Sequence, residues 1–144
     1  MGNARAPKSR PLVLVIDDGK QHVMLLKLAL MQRGYAVVVV HSVEGACTML
    51  RERSVNALLV TTPLEAAAEA LRAIGSARPS VAMATAPDGP DGQARVHAAG
   101  FDFALPRPID FAELDALLRD HMSRRTSGVR ARVRTPRGNK QRLA

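Results

Sequence analysis

Leu12-Val13-Leu14-Val15-Ile16-Asp17-Asp18 is an uninterrupted apolar run closed by two adjacent carboxylates. A run this short and this continuous suits a strand buried on both faces of a parallel sheet. Working outward, residues 20–33 carry Val23, Leu26 and Leu30 at helical spacing, and Gly34 stands where a helix C-cap belongs. The β-branched stretch 36–40 predicts a second strand. Ser42 predicts an N-cap for a helix over 43–53, with Val43, Ala46, Cys47 and Leu50 on one face. Residues 57–60 predict a third strand, ending at Thr61-Thr62-Pro63, and an alanine-rich helix follows over 64–75. Residues 81–84 predict a fourth strand, 91–99 a short helix, and 101–105 a fifth strand. Asp110 and Glu113 have capping-box spacing ahead of a last helix striped by Phe111, Leu114, Leu117 and Leu118.

Strands alternating with helices across short loops predict a parallel sheet covered on both faces. Right-handed crossovers make the doubly wound arrangement the simplest topology, and function in such sheets sits beyond the carboxyl ends of the strands. Those ends carry Asp17 and Asp18, then Thr61 and Thr62, then Thr85, then Arg107 and Pro108.

The chain has 144 residues and a net charge of +8, unevenly placed. Up to residue 123, acids and bases balance at 13 each. The excess is Arg124, Arg125, Arg130, Arg132, Arg134, Arg137, Lys140 and Arg142, with no acid among them. The expected organisation is a leader over 1–10, one domain over 11–123, and an arginine-rich, disordered tail over 124–144. No apolar run approaches the roughly 18 residues that span a bilayer, and none forms a signal-peptide core. The expectation is a cytoplasmic protein without a membrane role. Cys47 is the sole cysteine, which excludes an internal disulfide. His22, His41, His97 and His121 are scattered without ligand spacing, so packing or surface roles are expected for them. No phosphate-binding glycine loop and no nucleophile elbow is present. The expectation is a protein that is not an enzyme.

Residues 12–18 resemble the first strand and acidic pair of bacterial response-regulator receiver domains. Gly100-Phe101-Asp102-Phe103-Ala104-Leu105-Pro106-Arg107-Pro108 resembles the receiver stretch that ends in Lys-Pro. Thr85 lies 15 residues before Gly100, the receiver spacing between the switch hydroxyl and that glycine. The resemblance covers residues 11–122 and implies a flavodoxin-like fold with strand order 2-1-3-4-5.

In that family the acidic pair binds magnesium beside an aspartate that ends strand 3 and accepts phosphate from a histidine kinase. Carried over, Asp17 and Asp18 match the metal-binding pair, Thr85 the switch hydroxyl, and Arg107 the lysine. Pro108 matches the proline that follows a cis bond, and Ala104 falls at the aromatic switch position. The acceptor position falls on Thr61, or on Thr62 if the loop is read one residue later. Neither is a carboxylate, and no acid lies between Asn56 and Leu64. A threonine hydroxyl is a poor nucleophile near neutral pH, and nothing in the sequence supplies a base for it. The resemblance therefore implies a degenerate, pseudo-receiver-like domain in two-component or phosphorelay-type signalling. It would act through protein contacts, with a histidine kinase or another regulator as partner, using the fourth and fifth helices and strand 5. It leaves room for a homodimer. The expected cofactor is none, save a weakened magnesium site at Asp17 and Asp18; alternatively, Arg107 fills the metal's place as a salt bridge. A working receiver with another acceptor, such as Glu65, Asp17 or Asp18, is a further reading. The basic tail supports a different one, a regulator that binds nucleic acid through residues 124–144.

Overall fold

A computed structural model describes residues 10–19 and 23–127, with side chains through residue 122. Five strands alternate with five helices: β1 (Leu12–Ile16), α1 (Val23–Gln32), β2 (Ala36–Val40), α2 (Val43–Glu52), β3 (Ala57–Val60), α3 (Leu64–Ile74), β4 (Val81–Thr85), α4 (Gly92–Ala98), β5 (Phe103–Leu105) and α5 (Phe111–Ser127). A single 3-10 turn, Gly75–Ala77, follows α3. The strands form one parallel, doubly wound sheet in the order β2-β1-β3-β4-β5, the flavodoxin-like order that the resemblance implies.

Every residue of β1, β3 and β4 is buried, which is why these strands read as unbroken apolar runs. Strand alternation divides their side chains between two faces. Leu14, Ile16, Leu58, Val60, Ala82 and Ala84 pack with Ala46 of α2, Ala67, Ala70, Leu71 and Ile74 of α3, and Val96 of α4. Val13, Val15, Leu59 and Met83 point to the opposite face, where α1 packs with Leu26 and Leu30. Ala104 of β5 belongs to the α2–α4 side.

Local chemistry sets the boundaries. Ser42 caps α2, its Oγ accepting from the Gly45 amide at 3.0 Å. Gly34 takes φ 99° after α1, a conformation that a side chain would strain. Gly92 starts α4 so close to the preceding loop that a Cβ there would run into the Pro87 carbonyl oxygen. The fifth strand starts two residues later than expected. Asp102 spends its carboxylate on the Ala82 amide (2.8 Å) and on Arg78 (2.7 Å), so it anchors the start of β4 before the ladder with β5 begins. Helix α1 is described from Val23; the expected residues 20–22 lie outside the described part.

From Ala112 on, the chain forms a second compact unit dominated by α5. Leu114 and Leu118 are its buried positions, and Asp115 pairs with Arg119 one turn on, at 2.9 Å. The helix continues to Ser127, past the boundary expected at residue 123, so the backbone of Arg124 and Arg125 is helical. No glycine or proline interrupts the chain before Gly128, and cations are favoured in a last turn. Arg130, Arg132, Arg134, Arg137, Lys140 and Arg142 lie outside the described residues, as does the leader over 1–9. Among the described residues, no helix is long and apolar enough to cross a membrane.

Candidate functional site

The site is fixed by the sheet register. Ile16 pairs with Val60, and the ladder continues one rung further: the Asp17 amide donates to Val40 O and the Thr61 amide to Ile16 O, both at 3.0 Å. Asp17 and Thr61 therefore stand side by side at the carboxyl ends of β1 and β3. They share the strand phase of Val13, Val15 and Leu59, which places them on the α1 side of the sheet. Thr85, in phase with Met83, ends β4 on that same side.

These neighbours are bonded tightly. Asp17 is only 1% exposed and Thr61 7%. The Thr61 hydroxyl donates to Asp17 Oδ1 at 2.8 Å and lies 3.3 Å from Ile16 O. Asp17 Oδ2 accepts from the Gly19 amide at 2.7 Å, and His41 Nδ1 lies 3.2 Å from the Asp17 carbonyl oxygen. A buried carboxylate is thus satisfied on both oxygens by donors of this chain, as burial of charge requires. Of the two threonines, Thr61 stands on the rung beside Asp17. Thr62 lies one residue beyond, its hydroxyl oxygen buried without a hydrogen-bond partner among the described residues.

Arg107 reaches in from the β5–α5 connection, and its peptide bond to Pro108 is cis. Its Nη2 donates to Thr85 Oγ1 at 2.9 Å and approaches Thr61 O at 3.5 Å. The salt bridge expected from Arg107 to Asp17 or Asp18 is not made. Asp17 is already enclosed by Thr61 and Gly19, and the guanidinium donates through Nη2 to Thr85, on another strand end. A second expectation also changes. A base does lie beside the threonine, because Asp17 accepts its hydroxyl hydrogen bond. Carboxylates are nonetheless weak bases toward an aliphatic alcohol.

The donor set does not fit a divalent cation well. Magnesium demands near-octahedral oxygen coordination, yet both oxygens of Asp17 are committed to hydrogen bonds and the end of β3 offers a hydroxyl. Asp18 is the remaining carboxylate of the pair and is exposed. Among the described residues, no group of three or more potential metal-ligating side chains is assembled. Ala104, the position of the aromatic switch in the resemblance, faces the α2–α4 side, away from Thr85 and Arg107.

Beside this cluster opens a cleft of about 370 Å³, walled by Leu25 and Leu26 of α1 and by Pro108, Ile109 and Phe111. Thr61, Thr85 and Arg107 form its polar end. Sequence reasoning found those three but missed the wall. Its signal was present in α1, where Lys27 is the only polar residue from Val23 to Met31, too apolar a helix for one buried face.

No family model matches the chain, and no curated protein matches it. Solved structures do. A CheY-like response-regulator receiver domain protein from Methanospirillum hungatei superposes with a TM-score of 0.69 at 17% identity, over 83% of this chain and 99% of that one. A CheY-like receiver domain from Methylobacillus flagellatus does so at 0.62 and 25% identity, over 78% and 98%. The chain is a receiver-fold domain. A further receiver neighbour is that of Ssk1 from Saccharomyces cerevisiae, solved together with the histidine phosphotransfer protein Ypd1. It matches at a TM-score of 0.62 and 13% identity, over 76% and 87%. In this fold the residue that follows β3 is Thr61, bonded to Asp17.

Proposed function

We propose that this receiver-fold domain serves two-component signalling through protein contacts and does not carry an aspartyl phosphate. The Thr61–Asp17 hydrogen bond of 2.8 Å supports this reading most directly. Forming an acyl phosphate requires a carboxylate oxygen as nucleophile and a metal to offset charge on the phosphoryl group. Here a hydroxyl occupies the nucleophile's rung and spends its proton on the carboxylate that would hold the metal. The rung is thereby closed by a neutral donor, with no need of a cation. The partner class is a histidine kinase, a phosphotransfer protein or another regulator of such a relay, in keeping with the Ssk1 receiver seen with Ypd1. The working compartment is the cytoplasm, and the domain is not an enzyme.

Incubation with acetyl phosphate and magnesium, followed by intact-mass measurement, tests this. The expected result is an unmodified chain. A phosphoryl adduct released by hydroxylamine would establish an acyl phosphate and overturn the reading. An adduct stable to hydroxylamine and mapped to Thr61 would overturn it differently, by making the Thr61–Asp17 pair a working nucleophile and base.

A further inference from the structure

We propose that the cleft between α1 and the β5–α5 connection binds a small amphipathic anion. Its apolar body would rest on Leu25, Ile109 and Phe111, and its charged head would meet Arg107 and Thr85. The cleft lies beyond the carboxyl ends of β3 and β4, where doubly wound sheets place their ligands. Its volume of about 370 Å³ falls within the range of small-molecule sites.

The polar end is built from donors. Among the described residues, no carboxylate lines the cleft. Asp17 is screened from it by the Thr61 hydroxyl, whose proton is already given away. Thr85 is 4% exposed; its oxygen accepts from Arg107, while its own proton has no acceptor among the described residues. Arg107 makes both of its described hydrogen bonds through Nη2, which leaves Nε and Nη1 without an acceptor among the described residues. The guanidinium is anchored at one nitrogen and open at two, pre-set for a carboxylate or similar oxyanion. Inorganic phosphate would satisfy these donors but leave the apolar wall in water. A neutral apolar molecule would cover the wall and leave the cation unanswered. An amphipathic anion satisfies both. The wall continues outward: the large exposed hydrophobics of the described residues are Met24, Leu25, Leu28 and Met31, all on α1.

The experiment is a titration of the full-length, isotope-labelled protein with decanoate, decan-1-ol and inorganic phosphate, followed by amide and arginine-Nε NMR signals. Decanoate is expected to give saturable shifts at Leu25, Thr85, Ile109, Phe111 and the Arg107 Nε, at one equivalent. Arg107→Gln should weaken decanoate about tenfold or more, the range for a lost charge-assisted hydrogen bond, while leaving decan-1-ol unchanged. Arg107→Lys should recover part of the loss, and Leu25→Ser should weaken both aliphatic probes. The proposal is overturned if decanoate shifts only residues 128–144, which would mark binding to the basic tail. Equal binding of phosphate, or an unchanged affinity in Arg107→Gln, would also overturn it. So would concentration-dependent shifts at Met24, Leu28 and Met31 without ligand that exclude decanoate, since a second copy would then occupy this face. The titration and the phosphorylation assay are read independently, so failure of one leaves the other standing.

Discussion

Residue 61 decides what the end of β3 can do. Its hydroxyl is a donor to a buried carboxylate, and hydrogen bonds to charged groups are worth about 1.5–3 kcal/mol. Thr61→Val keeps the shape and removes the donor, so a loss of stability of about that size is expected from the urea midpoint. Thr61→Asp does something different. It sets a second carboxylate beside Asp17 on the next strand, where like charges repel. Its destabilisation should exceed that of Thr61→Val in a magnesium-free buffer and should shrink on adding magnesium, because the new oxygens supply what the present donor set lacks. Thermal melts of both variants with and without the cation check the pair. That Asp17, Thr61 and Thr85 converge was legible in the sequence, since each follows a short apolar strand. The choice between Thr61 and Thr62 was not, because it depends on a register shift of one residue. Nor was the partner of Arg107, whose long side chain reaches several strand ends with equal ease; burial of Asp17 behind Thr61 is what directs it to Thr85.

Among the elements, caps and close approaches decide the boundaries. Ser42→Ala removes the one side-chain bond to the Gly45 amide and should cost about 1 kcal/mol. Gly92→Ala adds the best helix former to a helix, yet it should destabilise by roughly 1–3 kcal/mol, because the new Cβ meets the Pro87 carbonyl. Faster amide exchange confined to α4 and the loop before it would mark that origin. Strands β1 to β4 and the caps at Ser42 and Gly34 were readable from apolar runs and local residue chemistry. The start of β5 was not: nothing local tells that Asp102 turns its carboxylate to the Ala82 amide and to Arg78. The extent of α5 was not readable for another reason. A change in charge at residue 124 suggested a boundary, whereas charge alone does not stop a helix, and α5 runs through Arg124 and Arg125 to Ser127.

For the molecule as a whole, the parallel sheet follows from the alternation of elements and its order from the resemblance, while the cleft emerges only when α1 and the β5–α5 connection are brought together across it. Charge is a whole-chain property too. Ending the chain at Ser127 removes Arg130, Arg132, Arg134, Arg137, Lys140 and Arg142, leaving little of the +8. The shortened chain should elute from heparin at clearly lower salt than the full chain, since fewer counterions are exchanged on binding. Equal elution would remove the basis for a nucleic-acid role of those residues. The sheet order has one more effect. Strand β2 stands last in the row, bonded to β1 along one side. It is Ala36-Val37-Val38-Val39-Val40, without a charge, a proline or a bulge to blunt its outer margin. Such a margin is a template for intermolecular pairing on partial unfolding. Warming should make the protein cloud through that strand first, so the amides of β2 should lose exchange protection before turbidity rises.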